Sequence, residues 1–60
     1  MGEKIKAYRE AAGLSQKQLA DALGLDQSAI SNWETGRTAP TINNLYRTAD
    51  ILGCRPADLL

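Results

Sequence analysis

The sequence predicts an all-α fold, a compact five-helix bundle that contains a helix-turn-helix. Apolar residues recur at helical spacing along the chain, and no stretch alternates between apolar and polar residues as a strand would. Capping residues precede the apolar segments, and glycines follow them. The connections are short, as in a helical bundle. At 60 residues the chain is predicted to form a single domain, residues 1–60.

The first predicted helix has one apolar face. Ile5, Tyr8 and Ala12 lie at positions i, i+3 and i+7, which places them on the same side of a helix. Gly13 follows at the position where helices commonly end in the left-handed conformation. We therefore expect this face to pack on the core.

The second predicted helix, about residues 16–23, has the clearest start signal in the chain. Ser15 and Gln18 have the spacing of a capping box, in which each side chain bonds the other residue's backbone N–H. Leu14 and Leu19 have the spacing of a hydrophobic staple. These signals set the start of the helix and the direction from which the chain enters it.

A third helix, about residues 27–34, is predicted to follow the second almost at once. Gly24 ends the second helix and Asp26 can cap the third. Leu25 can form a staple with Ile30. Because only Gly24 and Leu25 separate the last turn of the second helix from this cap, the two helices cannot lie antiparallel. They must cross steeply, as in a helix-turn-helix.

The rest of the chain predicts two further helices. Thr41 can cap a fourth helix, which Gly53 ends. Its core face consists of four apolar residues, Ile42, Leu45, Ala49 and Leu52. Pro56 suits the first position of a short fifth helix. Two apolar residues at its end would close the bottom of the core, Leu59 and Leu60.

Composition excludes several classes of function. One cysteine and no histidine rule out a disulfide framework and leave too few ligands for a structural zinc site. No apolar run is long enough to span a membrane and no signal peptide is visible, so we expect a cytoplasmic chain with no membrane association. The sequence contains no Gly-rich phosphate loop and no paired carboxylates, which predicts that the chain is not an enzyme. We expect no cofactor and no small-molecule ligand.

Residues spread over most of the chain match one known family pattern. They are Leu14-Ser15-Gln16, Leu19-Ala20, Gly24, Ile30-Ser31, Trp33-Glu34, Gly36, and Leu45 to Gly53. From Ile5 to Leu60 the chain resembles the Xre/Cro-type helix-turn-helix domain of phage repressors and small bacterial regulators. The resemblance implies a lambda-repressor-like fold and sequence-specific binding of double-stranded DNA by a transcriptional regulator, a repressor. It also implies a recognition helix in the major groove and a homodimer on a pseudo-palindromic operator.

The resemblance also implies which residues contact DNA. Base contacts are assigned to Gln27, Ser28 and Asn32, and phosphate contacts to Gln16, Thr35, Arg37 and Thr38. Lys17 is expected near the DNA backbone in this arrangement and is added to the phosphate contacts. The amides of Gln27 and Asn32 suit the bidentate recognition of adenine. No charged residue occurs between positions 27 and 33, which favours reading base edges over a merely solvated helix face. For Gln16 a role as a helix former, and for Lys17 a solvated surface position, remain alternatives.

Other matching residues are predicted to be structural. Trp33 lies three residues after Ile30 and belongs to the core. In the family that the chain resembles, the pair matching Arg9 and Glu34 forms a mostly buried ion pair, so Arg9 is not expected to touch DNA. Asp26 departs from the family pattern, because it places a negative charge at the start of the recognition helix, where phosphates are expected to pass. Apolar residues left over for a dimer contact are Tyr46, Ile51, Leu59 and Leu60.

A second function remains open from the sequence. The chain has 7 Lys and Arg residues against 7 Asp and Glu, a formal net charge of zero, whereas nucleic-acid-binding domains are usually basic. Neutrality predicts modest affinity for DNA. It is also compatible with a protein-interaction module, for example one that binds a partner as an antitoxin does, with weak DNA contact. Salt dependence distinguishes the two, because affinity for duplex DNA falls steeply with added salt.

Overall fold

The computed structural model describes Met1–Leu60 as four α-helices and one short 3-10 turn. The helices are α1 (Gly2–Ala11), α2 (Gln16–Leu23), α3 (Gln27–Thr35) and α4 (Ile42–Leu52), and the C-terminal 3-10 turn covers Pro56–Leu59. The all-α prediction with a helix-turn-helix is confirmed, but the count of five helices is wrong. The segment at Pro56–Leu59 closes i to i+3 hydrogen bonds, such as Asp58 N to Arg55 O at 2.9 Å, and is therefore a 3-10 turn and not an α-helix. No helix is long and apolar enough to cross a membrane.

The capping signals of the sequence are present in the structure. The Ser15 hydroxyl accepts a hydrogen bond from Gln18 N at 3.0 Å, and Ser15 N donates to Gln18 Oε1 at 2.8 Å. The Asp26 and Thr41 side chains cap α3 and α4. Gly24 has φ +71°, a left-handed conformation that other residues adopt at a cost. This glycine lets the chain turn between α2 and α3, so local chemistry sets the angle of the motif.

One core holds the elements together. Ten apolar residues form it, Ile5, Leu19, Ala20, Leu23, Ile30, Trp33, Leu45, Ala49, Leu52 and Leu59. The predicted core position of Trp33 is confirmed, since this residue is only 6% exposed. Both predicted staple residues, Leu14 and Leu25, are half-buried and pack against the core.

The face of α1 that meets the core differs from the predicted one. Tyr8 is 37% exposed and Ala12 is exposed, so the prediction was wrong for both. Ile5 is buried together with Arg9, one turn further along the helix. An ion pair with Glu34 allows the arginine to occupy a position where hydrophobic spacing alone expects an apolar side chain.

The core face of α4 is also displaced from the predicted one. Ile42 is 77% exposed, whereas Thr48 is fully buried beside Leu45 and Ala49. The prediction for Ile42 was wrong because the first turn of α4 extends past the edge of the core, and Thr41 is exposed there as well. A buried threonine completes the i, i+3, i+4 spacing that hydrophobicity alone could not show.

The C-terminal turn corrects two further predictions. Leu59 is fully buried and closes the core as predicted, but Leu60 is 59% exposed and does not. Because Leu59 is buried, its assignment to a dimer contact was wrong. Of the other residues considered for that contact, Tyr46 is 61% exposed and Ile51 is half-buried.

The start of α1 lies directly against the end of α3. A Cβ atom added to Gly2 would overlap the carbonyl oxygen of Trp33 and would lie 2.7 Å from that of Glu34. Only glycine permits this approach of two backbones. It brings α1 close enough for Arg9 to reach the last turn of α3.

Candidate nucleic-acid interface

α3 presents a polar face opposite its buried side. Ile30 and Trp33 point into the core. The other face holds Gln27 and Ser28, both exposed, and Asn32, which is half-buried. These three positions share one side of the helix by their i, i+1, i+5 spacing. The structure therefore brings together the three predicted base-contacting residues on one accessible surface, hereafter the reading face.

The first turn of this face is ordered by Asp26. Its Oδ2 atom accepts hydrogen bonds from Ser28 N at 3.0 Å and from Ser28 Oγ at 2.5 Å. The hydroxyl and backbone bonds from Ser28 lower the pKa of Asp26. The Ser28 hydroxyl donates its proton to the Asp26 carboxylate. The Ser28 oxygen can therefore act only as a hydrogen-bond acceptor towards a partner. Such an oxygen accepts from a base amino group, as carried by cytosine or adenine in the major groove.

A buried ion pair joins α1 to the last turn of α3. Arg9 Nε lies 2.6 Å from Glu34 Oε2, and Arg9 Nη2 lies 3.0 Å from Glu34 Oε1, a two-pronged contact. Arg9 Nη1 donates to the carbonyl oxygen of Leu14 at 2.8 Å. The two charged side chains are only 9% and 4% exposed. The pair that the resemblance implied is present, and it binds α1, the segment before α2, and α3 into one joint.

Electrostatics keep this pair charged. Burial alone would raise the pKa of Glu34, but hydrogen bonds from Arg9 and Gln16, with the charges of Arg9 and Lys6, lower it overall. The hydrogen bond to Glu34 raises the pKa of Arg9 against the effect of burial. The joint is therefore a fully ionised pair at neutral pH.

Gln16 connects the ion pair to the reading face. Its Nε2 atom donates to Glu34 Oε1 at 3.1 Å, and its Oε1 atom accepts from Gln27 Nε2 at 3.4 Å. The sequence predicts a phosphate contact for Gln16, but it contains no signal for either of these two contacts within the chain. Positions 16, 27 and 34 are far apart in sequence, and only the steep crossing of α2 and α3 makes them neighbours.

The other predicted phosphate-contacting residues differ in whether their side chains already make contacts within the chain. Lys17 pairs with Asp21 at 3.4 Å, but both side chains are well exposed, so the pair is weak. Arg37 and Thr38 are exposed in the segment after α3. Thr35 Oγ1 donates to Ser31 O at 3.0 Å within α3.

One cation that the sequence did not single out has a structural role. Arg47 Nη2 donates to the carbonyl oxygen of Leu23 at 2.9 Å, at the C-terminal end of α2. A cation there satisfies a free helix carbonyl and opposes the negative end of the helix dipole. Arg47 and Arg9 both bond backbone carbonyls, so part of the limited positive charge of the chain holds the fold together.

Comparison with known proteins identifies the class to which this arrangement belongs. A helix-turn-helix family model matches residues 5–59. The chain therefore belongs to the helix-turn-helix family, and the expected resemblance is confirmed.

Similar proteins include named transcriptional regulators. The chain is 35% identical over 60 residues to the HTH-type transcriptional regulator DicA of Escherichia coli (strain K12), covering all of this chain and 44% of that protein. It is 38% identical over 60 residues to repressor protein C2 of Salmonella phage P22, covering all of this chain and 28% of that protein. The chain thus spans less than half the length of these two relatives.

Solved structures with the same fold include complexes with DNA. The P22 c2 repressor in complex with a synthetic operator matches with a TM-score of 0.92 and 37% identity, over 98% of this chain and 89% of that one. SinR, described as the master regulator for biofilm formation and solved in complex with DNA, matches with a TM-score of 0.91 and 31% identity, over the whole of both chains.

Proposed function

We propose that this chain is a sequence-specific double-stranded DNA-binding domain of a transcriptional regulator, a repressor, and that α3 enters the major groove. The observation that carries the proposal is the reading face. It is a helix surface of uncharged hydrogen-bonding side chains, two exposed and one half-buried, next to a core that fixes its orientation. Similarity to a repressor solved on its operator supports the same function. We propose a binding function and not an enzymatic one, exercised in the cytoplasm where the target DNA lies.

In the proposed complex the reading face contacts base edges. Gln27 and Asn32 have the amide group that recognises adenine through N6 and N7. Ser28 offers its hydroxyl oxygen to a base amino group, because Asp26 holds the hydroxyl proton. Such contacts supply sequence preference, while phosphate contacts supply position and affinity.

Phosphate contacts are proposed at the two ends of the motif. The start of α2 carries Gln16 and Lys17, next to the free backbone N–H groups and positive dipole end of that helix. Thr35, Arg37 and Thr38 lie at the end of α3 and just beyond it. Because few cations flank the reading face, we expect modest affinity for one domain, and binding as a homodimer on two half-sites of a pseudo-palindromic operator.

The test begins with duplexes selected by this chain from a random pool. Gln27→Ala is expected to relax the preference at one base pair, by about 1–3 kcal/mol for a bidentate contact. Arg37→Ala is expected to weaken binding to all duplexes alike, since a phosphate contact carries no sequence information. Equilibrium binding to the selected duplex and its single-base variants measures both.

Arg55→Ala provides a matched control. Arg55 precedes the C-terminal turn, which packs on α1 and α4, and its guanidinium lies 3.6 Å from Asp58. Its removal should leave DNA binding close to the parent. If Gln27→Ala and Arg37→Ala both bind every duplex as the parent does, the assignment of the interface is wrong.

A further inference from the structure

A line of side-chain hydrogen bonds runs from the buried ion pair to the reading face. Arg9 holds both carboxylate oxygens of Glu34. Gln16 donates to Glu34 Oε1 and accepts from Gln27 Nε2. Exposure rises along this line, from a 4% exposed Glu34 side chain through the half-buried Gln16 to the exposed Gln27. The exposed end is therefore connected to a fixed, buried charge.

The buried end sets the direction of every hydrogen bond in the line. An ionised carboxylate accepts hydrogen bonds and cannot donate them, so Gln16 must turn its NH2 group towards Glu34. The carbonyl oxygen of Gln16 then faces Gln27, which in turn must donate an N–H to it. The opposite orientation of the Gln16 amide would place its oxygen against the buried carboxylate, a contact between two acceptors.

We propose that Glu34, acting through Gln16, is a positioning residue that fixes the amide orientation of Gln27 for base recognition. This inference rests on the proposed function, because it requires Gln27 to contact a base. With one N–H held by Gln16, Gln27 presents its other N–H and its Oε1 atom outward. One donor beside one acceptor matches adenine, which has an acceptor at N7 and a donor at N6.

The orientation matters because the reversed amide suits a different base. A Gln27 side chain turned over would present both N–H groups outward, and guanine offers two acceptors, N7 and O6. The carboxylate of Glu34 therefore selects adenine over guanine at the base pair that Gln27 contacts, although Glu34 itself touches no base. The ion pair contributes to specificity as well as to stability.

A purely structural ion pair predicts a different outcome. If Glu34 only joins α1 to α3, and Gln16 only holds a phosphate, changes at either residue lower affinity for all duplexes by the same factor. The ratio of affinities for an adenine duplex and the matched guanine duplex separates the two accounts. This ratio does not respond to a uniform loss of binding or to a lower fraction of folded protein.

The experiment compares this ratio in the parent, in Gln16→Leu, and in the double variant Arg9→Met with Glu34→Leu. Apolar residues of similar volume often replace a buried ion pair without loss of stability, so the double variant removes the carboxylate and leaves no unpaired charge. We expect the adenine preference to fall about 5-fold or more in both variants, as when a bidentate contact loses its discrimination. Lys17→Met is the matched control on α2 and should weaken both duplexes equally.

Each outcome decides the proposal. An unchanged ratio in Gln16→Leu, with Gln27→Ala relaxing the preference, overturns the inference and leaves the proposed function standing. If the ratio falls in Gln16→Leu but not in a folded double variant, Glu34 is not a positioning residue for Gln27, and the proposal is wrong. If the double variant does not fold, Glu34→Gln replaces it, because a neutral amide can donate to Gln16 as well as accept from it and no longer fixes the direction of the hydrogen bonds. An unchanged ratio in a folded Glu34→Gln variant then excludes a positioning role for Glu34. If Gln27→Ala changes no preference, the base contact of the proposed function is wrong, and the inference with it.

Discussion

The buried joint and the reading face of α3 use polar side chains in opposite ways. In the joint, Arg9 and Glu34 satisfy each other and are almost fully removed from water. On the reading face, Gln27 and Asn32 keep donors and acceptors available to solvent or to a partner. The joint holds α3 in position, and the reading face is the surface of α3 that is proposed to contact DNA bases. A single helix of nine residues contributes to both the joint and the reading face. Its polar groups towards the core must be paired within the protein, whereas those on its exposed side can bind water or a partner.

Breaking one half of the joint should have the largest effect on stability. Arg9→Ala leaves the Glu34 carboxylate buried without its partner, which costs about 3–5 kcal/mol. In a domain this small each kcal/mol lowers the melting temperature by roughly 4–8 °C, so we expect a large fall or complete unfolding. Thermal unfolding followed by circular dichroism measures it. Lys17→Ala, which breaks an exposed pair, is the control and should change little. An unchanged melting curve for Arg9→Ala would contradict the buried joint.

Acid should weaken the joint. The folded-state pKa of Glu34 is lowered, so between its folded and unfolded values the unfolded chain binds more protons than the folded one. The stability that this group contributes is therefore present above the ordinary glutamate range, about pH 4.3, and is lost as pH falls through the folded value. Urea unfolding at pH 7, 5 and 3 should show little change between the first two and a loss at the third.

The double variant Arg9→Met with Glu34→Leu sharpens this prediction. Without the carboxylate, the decline in the free energy of unfolding between pH 5 and 3 should be smaller than in the parent. Asp26 retains its own lowered pKa in the variant, so some acid sensitivity should persist. Equal declines in the two proteins would show that Glu34 does not govern the acid response.

The close approach of α1 to α3 should be the next most sensitive feature. Gly2→Ala places a methyl group against two backbone carbonyls, which cannot rotate away. We expect a loss of about 1–3 kcal/mol, the usual cost of overpacking. Glu3→Ala, at the exposed neighbouring position, should stay within about 0.5 kcal/mol of the parent. Chemical denaturation of both variants measures the difference, and equal stabilities would show that α1 does not need this contact.

The smallest effects are expected from two threonine-to-valine substitutions that should change the free energy of unfolding in opposite directions. Thr48 Oγ1 is buried without a hydrogen-bond partner, so Thr48→Val should stabilise the chain by about 1 kcal/mol. Thr41 Oγ1 accepts from Asn44 N at 3.2 Å as the cap of α4, so Thr41→Val should destabilise by roughly 0.5–2 kcal/mol. Differential scanning calorimetry resolves both, and a change of the same sign in the two variants would contradict these environments.

The sequence predicts this fold well where the signals are local. The capping box at Ser15, the cap at Asp26 and the glycine after α2 each act within a few residues, and each is present. Prediction failed where burial depends on contacts distant in sequence. Arg9 replaces Tyr8 on the buried side of α1 because Glu34, 25 residues away, neutralises it.

The candidate site shows the same difference between local signals, which the sequence predicts, and contacts between distant residues, which it does not. Composition and spacing predict an uncharged face on α3, and the structure places Gln27, Ser28 and Asn32 on it. The link from Glu34 through Gln16 to Gln27 could not be predicted, because it depends on how steeply α2 and α3 cross and on which amide rotamers that crossing allows. Whether the Ser28 hydroxyl donates to Asp26 likewise depends on the side-chain rotamer that Asp26 adopts as the cap of α3.

The salt dependence of duplex binding tests the central claim most directly. The measurement is the affinity of this chain for a selected duplex and for a scrambled duplex of equal length as salt is raised. If α3 reads bases while cations bind phosphates, both affinities should fall linearly on logarithmic axes, and the selected duplex should stay tighter throughout. Equal affinities for the two duplexes, or binding that does not respond to salt, would contradict the proposed function and favour a protein-interaction module.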